Sequence, residues 1–401
     1  MSTPPSQARS AQRPAPELRR WEFATATEIV FGAGSREILP DRIRREGVRA
    51  LVVTGGGPGR SVAMLDAVRL AGVEVAHWPL GHEPTIDDAR TAAGLARDQA
   101  VEVVVGIGGG STIDLAKAVA ALVTNGGDPL DYLEVIGRGL PLVQRPLPLI
   151  AVPTTAGAGA EVTRNAVLRS PQEGVKASLR SPLMLPRLAV VDPELTLTLP
   201  RDITAATGMD ALAQLLEPYV SSRANPITDP LCLDGLARVA RSLRRAWTDG
   251  ADVDARTGMS LAALFGGLAL ANAALGAVHG FAAAIGGRFD APHGAVCAAL
   301  LPGVVRVNVA ALAANGTSAA TARYVTAARV MTGHHDAGAE DLVALLEQLR
   351  TDLEIPGLRA YGVGDHDAPA IVDAAARASS MRGNPVALNT TELHAVFDAS
   401  L

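Results

Sequence analysis

Short hydrophobic runs alternate with amphipathic helical segments between Trp21 and about Pro200. The runs are rich in Val, Ile and Leu, and they fall at residues 49–54, 101–107, 147–152 and 188–192. Helical patterns occupy residues 85–99 and 111–123 between them. Alternation of this kind predicts a parallel β-sheet flanked by helices.

The pattern changes after Pro200, where β-branched runs fade and Ala- and Leu-rich helical segments continue to the C-terminus. The sequence therefore predicts a Rossmann-like parallel α/β domain over residues 21–200, followed by an all-helical C-terminal domain over residues 201–401. Residues 1–20 are rich in Pro, Ser, Gln and Arg, and we expect them to form a disordered tail.

An uncharged stretch at residues 259–278 is long enough to span a bilayer. It is dominated by Ala and Gly, whose small side chains also let helices pack closely in a protein core. We interpret it as a buried helix and expect no membrane association.

Composition narrows the classes of function. The net charge is −5 and there is no basic block, which argues against nucleic-acid binding. The two cysteines, Cys232 and Cys297, lie far apart in the sequence, so we expect no disulfide framework and a cytoplasmic location. Only two lysines occur, Lys117 and Lys176, in a chain whose other basic residues are arginines.

A strand, a glycine turn and a helix follow one another at residues 103–117. Glycine lets a ligand approach the backbone closely, and the first turn of a helix offers free N–H groups to an anion. Gly108, Gly109, Gly110 and Ser111 are therefore candidate phosphate-binding residues, the alternative being a tight turn without a ligand. A second glycine-rich loop at 153–163 follows the next strand and would face the same crevice.

The strand at 49–54 leads into Gly55, and no carboxylate stands at its end. Sites specific for NAD usually place an acidic residue on the ribose 2′-hydroxyl at this point. Because the acid is missing and Arg60 follows closely, we expect NADP to be accepted as well as NAD, with Gly55 beside the cofactor.

Four residues form a candidate metal site. Asp210 and Gln214 are four positions apart in a predicted helix and share one face, whereas His279 and His293 come later in the chain. One carboxylate, one amide oxygen and two imidazoles suit Fe²⁺ or Zn²⁺, which would polarise a carbonyl during hydride transfer. Lone histidines are also common as structural residues, so this spacing alone leaves the question open.

Several motifs, taken in order, resemble the iron-containing alcohol dehydrogenase family, which also includes the maleylacetate reductases. They cover the chain after residue 20 and comprise FGAG (31–34), GIGGGSTIDLAK (106–117), PTTAG (153–157), EVT (161–163), SPLMLP (181–186), VDP (191–193), GMD (208–210), His279, GG (286–287) and PHG (292–294). The resemblance implies a dinucleotide-binding domain, a helical domain, a small carbonyl or alcohol substrate in a cleft between them, and a homodimer.

The resemblance also assigns roles to individual residues. It implies catalytic and metal-binding roles for Asp210, His279 and His293, and cofactor contacts at Gly108, Gly109, Gly110, Ser111, Thr154, Thr155 and Lys176. Two positions depart from the family: Gln214 stands where a second histidine ligand is common, and Ala283 where a proton-relay histidine is frequent. These departures argue against a simple ethanol- or propanediol-type enzyme.

The sequence thus predicts an NAD(P)-dependent oxidoreductase that interconverts an alcohol with an aldehyde or keto group, metal-assisted if a metal is bound. Because Gln214 leaves metal occupancy open, two alternatives remain. One is a metal-independent maleylacetate-type keto-acid reductase, in which His279 and His293 donate hydrogen bonds to the substrate. The other is a nucleotide-binding protein without catalytic activity.

Overall fold

The computed structural model describes residues 20–56, 61–316 and 318–401. Six strands form one parallel sheet in the order β1-β8-β5-β4-β2-β3, and β6 and β7 form a separate antiparallel hairpin. The strands are β1 (Glu28–Phe31), β2 (Arg49–Gly55), β3 (Glu74–Leu80), β4 (Val103–Gly108), β5 (Leu149–Pro153), β6 (Asn165–Ser170), β7 (Val175–Arg180) and β8 (Leu188–Val191). The parallel α/β prediction is confirmed.

Helices cover both faces of this sheet, which explains why its central strands are continuously apolar. They are α1 (Leu39–Glu46), α2 (Val62–Leu70), α3 (Ile86–Asp98), α4 (Gly110–Asn125) and the short α5 (Pro129–Tyr132). Alternate residues of β2 point to opposite faces: Val52 packs with Leu39 of α1, and Leu51 packs with Ala89 of α3. Every residue of β4 is buried.

The sheet has a topological switch point between β2 and β4. The chain runs outward from β2 to β3, and then returns to place β4 and β5 on the other side of β2. In open parallel sheets, ligands bind at the carboxyl ends of the strands at such a point. Gly55 ends β2 and Gly108 ends β4, so the predicted glycine-rich segment lies at this position.

The rest of the chain is helical, as predicted. Its helices are α6 (Arg201–Val220), α7 (Thr228–Thr248), α8 (Val253–Ala273), α9 (Ala277–Gly286), α10 (His293–Ala314), α11 (Ser318–Thr332), α12 (Ala339–Asp352), α13 (Ala368–Arg377) and α14 (Thr390–Ser400). Helices α6 to α14 share one hydrophobic core. The domain boundary at residue 200 stays a prediction, and residues 1–19 of the expected tail lie outside the described ranges.

The prediction of one buried helix at 259–278 is wrong in one respect. The stretch is buried, but it is divided between α8 and α9, which meet at an angle of 98°. Ala274, at the break, has φ +62°, a left-handed conformation that ends the helix. In the described ranges, α10 is the one single helix long and apolar enough for a span, and 83% of its most apolar window is buried, as in a core helix.

Candidate active site

At the carboxyl ends of β2 and β4 the strand backbone packs closely against the Thr112 side chain of α4. A Cβ atom at Gly55 would lie 2.2 Å from Thr112 Oγ1, and one at Gly108 would lie 2.4 Å from the same atom. Glycine is therefore required at both positions. The result is a crevice floor made of backbone, which suits a pyrophosphate group.

Helix α4 begins at this floor without a side-chain cap among the described residues. Its N-cap residue is Gly109, which has no side chain to cap the helix. Ser111 is the second helical residue and is half-buried. An uncapped first turn keeps its N–H groups available to an anion.

The loop after β5 completes the crevice. Thr154 donates its N–H to Gly108 O at 2.9 Å. Thr155 lies against Gly109, where an added Cβ would be 3.3 Å from Thr155 Oγ1. Six predicted cofactor residues, Gly55, Gly108, Gly109, Gly110, Thr154 and Thr155, are thus brought to one edge of the sheet.

The same loop packs against the helical part of the molecule. A Cβ at Gly157 would lie 2.7 Å from Thr207 Cβ on α6, and one at Gly159 would lie 2.4 Å from Gly267 Cα on α8. We call these two contacts the glycine seam. Because Asp210 lies one helical turn after Thr207, the seam connects the nucleotide crevice to the candidate metal ligands.

Three of the candidate metal ligands, Asp210, His279 and His293, lie close together, and Cys297, which the sequence analysis did not single out as a ligand, joins them. Ligand atoms of Asp210, His279, His293 and Cys297 all lie within 4.8 Å of one another. Asp210 Oδ1 is 3.4 Å from His279 Nε2 and 3.9 Å from His293 Nε2. The His293 side chain is 39% exposed, which makes it the open side of an otherwise buried cluster.

Three atoms at the cluster have no hydrogen-bond partner within the part of the chain that the structure describes. They are Asp210 Oδ1, Gln214 Oε1 and His279 Nε2. Their residues are only 4%, 3% and 8% exposed, so water cannot readily satisfy them. Buried polar atoms normally have a partner. A divalent cation would provide one for Asp210 Oδ1 and His279 Nε2, and oxygen and nitrogen donors suit such a cation.

Glu217, which the sequence analysis did not single out, positions His279. Its Oε2 accepts a hydrogen bond from His279 Nδ1 at 2.6 Å, and its Oε1 accepts one from Val278 N–H at 2.7 Å. Proton donation from Nδ1 leaves the Nε2 lone pair directed at Asp210, as in carboxylate–histidine–metal arrangements. Glu217 shares a face of α6 with Asp210 and Gln214, a spacing that could have revealed it.

The electrostatics indicate what happens at the cluster without a cation. Burial opposes protonation of His279, but the neighbouring carboxylates of Asp210 and Glu217 prevail and raise its pKa to about 10. Burial also opposes ionisation of Asp210, yet the neighbouring imidazoles of His279 and His293 hold its pKa below the usual value. The His279 proton thus supplies the positive charge that a metal would otherwise supply.

Lys176 lies on the helical side of the site. Its Nζ is 2.6 Å from Glu83 Oε1, and its side chain packs against Gly286 of α9, where an added Cβ would be 2.9 Å from Nζ. Ala283, one turn after His279 on α9, is exposed and brings no titratable group.

A crevice for a dinucleotide beside a buried cluster of Asp and His residues is typical of a nicotinamide-dependent oxidoreductase, and the cluster is a candidate metal site. Comparison with known proteins agrees. The model of iron-containing alcohol dehydrogenase matches residues 26–193, and that of the Fe-containing alcohol dehydrogenase family, C-terminal, matches residues 204–401. The chain belongs to the iron-containing alcohol dehydrogenase family, whose members use NAD(P) and iron, and it is an NAD(P)-dependent alcohol/aldehyde oxidoreductase.

Individual relatives extend over nearly the whole chain. The 1,3-propanediol dehydrogenase of Klebsiella pneumoniae is 35% identical over 395 residues, covering 94% of this chain and 98% of the relative. A crystal structure of 1,3-propanediol oxidoreductase has a TM-score of 0.88 at 33% identity, covering 96% of this chain and 100% of that one. Sulfoacetaldehyde reductase from Bifidobacterium kashiwanohense, solved with NAD⁺, has a TM-score of 0.82 at 27% identity, covering 95% and 99%.

Proposed function

We propose that this enzyme reduces an aldehyde or ketone with NAD(P)H, and oxidises the corresponding alcohol, at a divalent metal held by Asp210, His279 and His293. The observation that supports this is the set of unpartnered buried atoms at the cluster. Two of them, on Asp210 and His279, belong to the group of ligand atoms that lie within 4.8 Å of one another. The glycine seam places this group next to the nucleotide crevice.

Each part of the site then has a role. The backbone at Gly55 and Gly108–Gly110 receives the pyrophosphate, while Thr154 and Thr155 border the same crevice. Glu217 fixes the tautomer and orientation of His279. A bound metal would act as a Lewis acid on the substrate oxygen. The open side at His293 admits the substrate, and Lys176 lies close enough to contribute a positive charge there.

The test is metal analysis of the purified enzyme, followed by chelation and metal re-addition, with NAD(P)H oxidation measured across aldehydes and keto acids. We expect activity to disappear on chelation and to return with Zn²⁺ or Fe²⁺. Full activity in metal-free protein would refute metal assistance and support the maleylacetate-type alternative. That alternative is favoured by one observation, the Gln214 amide in place of an imidazole.

We also propose that NADPH is accepted. The end of β2 at Gly55 bears no carboxylate to repel a 2′-phosphate. The preceding residue of the strand, Thr54, has its Oγ1 hydrogen-bonded to His77 Nε2 at 2.8 Å. Arg60, which also supported the prediction that NADP is accepted, lies outside the described residues. A kcat/KM for NADH far above that for NADPH would contradict this proposal.

We further propose that the enzyme is a soluble cytoplasmic homodimer. Both cysteines are buried and unbridged, which is compatible with a reducing compartment. Size-exclusion chromatography with light scattering measures the oligomeric state, and a monomeric mass would contradict the dimer. Fractionation of the source cells tests the compartment.

A further inference from the structure

We propose that Cys297 is a metal ligand, so that the centre is an Asp210–His279–His293–Cys297 site suited to zinc, and that Gln214 is not required for it. This inference rests on the proposed function, since it concerns the same metal centre.

The position of Cys297 follows from helix geometry. His293 is the first residue of α10 and Cys297 lies one turn later, so both side chains project from the same face. Cys297 Sγ is 3.6 Å from His293 Nε2, and it belongs to the group of ligand atoms that lie within 4.8 Å of one another. Cys297 is fully buried, and it shares the cluster with the unpartnered Asp210 and His279 atoms.

Two of the separations agree with a four-coordinate resting centre, which zinc can expand to five-coordinate when the substrate oxygen binds. With Zn–N and Zn–O near 2.05 Å and Zn–S near 2.3 Å, tetrahedral angles place O and N ligands about 3.3 Å apart and N and S ligands about 3.6 Å apart. The structure has 3.4 Å from Asp210 Oδ1 to His279 Nε2, and 3.6 Å from His293 Nε2 to Cys297 Sγ. The 3.9 Å between Asp210 and His293 must shorten, and the remaining pairs of ligand atoms lie within the 4.8 Å limit of the cluster.

The chemistry of the donors also favours Cys297 over Gln214. An amide oxygen is a hard and weak ligand, whereas a thiolate binds Zn²⁺ strongly and shifts selectivity away from hard cations. On metal binding the Cys297 thiol releases its proton to solvent, as coordinating thiols do.

The chain contains a matched control. Cys232, the only other cysteine, is also buried, but it lies on α7 and is not a member of the cluster. A buried cysteine acting only as a small apolar side chain would behave like Cys232.

The experiment is titration of chelator-treated enzyme with Co²⁺, followed by absorption spectroscopy. Wild-type enzyme and Cys232→Ser are expected to show thiolate-to-cobalt charge transfer in the near ultraviolet together with visible d–d bands. Cys297→Ser is expected to lose the charge-transfer band and keep the d–d bands, while Gln214→Ala keeps both. In chelator competition, Cys297→Ser should bind Zn²⁺ at least about 100-fold more weakly, since even loss of an outer hydrogen-bond partner costs 10–100-fold.

The outcomes separate this proposal from the one on which it rests. Wild-type d–d bands without charge transfer would overturn the Cys297 ligand and leave the metal centre intact. Charge transfer that persists in Cys297→Ser, or is lost in Cys232→Ser, would also overturn it. Absence of any cobalt spectrum in wild-type enzyme would overturn the metal centre itself. Circular dichroism and NADPH binding confirm that each variant is folded.

Discussion

Replacement of Glu217 by Gln tests how the site controls His279. The substitution keeps the shape of the side chain but changes one acceptor oxygen into an NH₂ donor. In the wild-type enzyme the two Glu217 oxygens lie 2.7 Å from Val278 N and 2.6 Å from His279 Nδ1. In the variant the amide oxygen can still accept from Val278 N–H, and the amide nitrogen then faces His279 Nδ1. Two donors cannot face each other at that distance, so the ring loses its Nδ1 proton and the neutral imidazole carries its proton on Nε2.

That tautomer blocks the nitrogen that faces the metal position. A proton on Nε2 would point at Asp210 Oδ1, 3.4 Å away, and occupy the lone pair needed for coordination. Loss of such an outer carboxylate typically weakens metal binding 10–100-fold, or about 1.4–2.7 kcal/mol. We expect Glu217→Gln to fall in this range, with kcat/KM for aldehyde reduction falling at subsaturating metal.

Zinc affinity is measured by chelator competition, and the tautomer by ¹⁵N NMR of the histidine side chains. The matched control is Glu161→Gln, which alters another buried glutamate that is not a member of the ligand cluster and should leave zinc affinity unchanged. Wild-type zinc affinity in Glu217→Gln, or a proton that stays on Nδ1, would refute the reasoning.

Three further predictions follow from other contacts. Gln214→His should tighten zinc binding, because imidazole is a better ligand than an amide, and unchanged competition curves would contradict this. Gly108→Ala should weaken NADPH binding and destabilise the fold by about 1–3 kcal/mol, since its Cβ would lie 2.6 Å from Thr112 Cβ; fluorescence titration and thermal unfolding measure both effects. Burial raises the pKa of Glu161 from 4.5 to about 7, so its contribution to stability is complete below pH 4.5 and is lost as the pH rises through 7. In urea unfolding, Glu161→Gln should reduce that decline, and identical pH profiles would contradict the assignment.

The parts of the fold that local patterns encode could be predicted from the sequence. The parallel sheet and the glycine turn before α4 follow from short apolar runs and from glycines at the strand ends. The bend between α8 and α9 could not be predicted, because an uncharged Ala- and Gly-rich stretch has no polar face to mark where one helix ends. Ala274 takes up a positive φ without a glycine to signal it.

In the candidate site, too, some residues could be predicted from local sequence patterns and others could not. Asp210, His279 and His293 were recognisable through motifs, and the structure brings them together. Glu217 and Cys297 were missed because their importance depends on long-range packing, since Glu217 meets His279 across 62 positions of the chain. The i, i+4 spacing of His293 and Cys297 was visible in the sequence, but it gained meaning only when α6 and α9 were placed beside α10.

The glycine seam has a consequence for redesigning this enzyme. At Gly159 and Gly267 two backbones touch with no space for a methyl group, and Gly157 meets Thr207 in the same way. A larger residue at Gly157 would push the cofactor loop away from α6, and one at Gly159 or Gly267 would push it away from α8. Substrate range can therefore be altered most safely on the open side near His293, whereas the seam tolerates little variation.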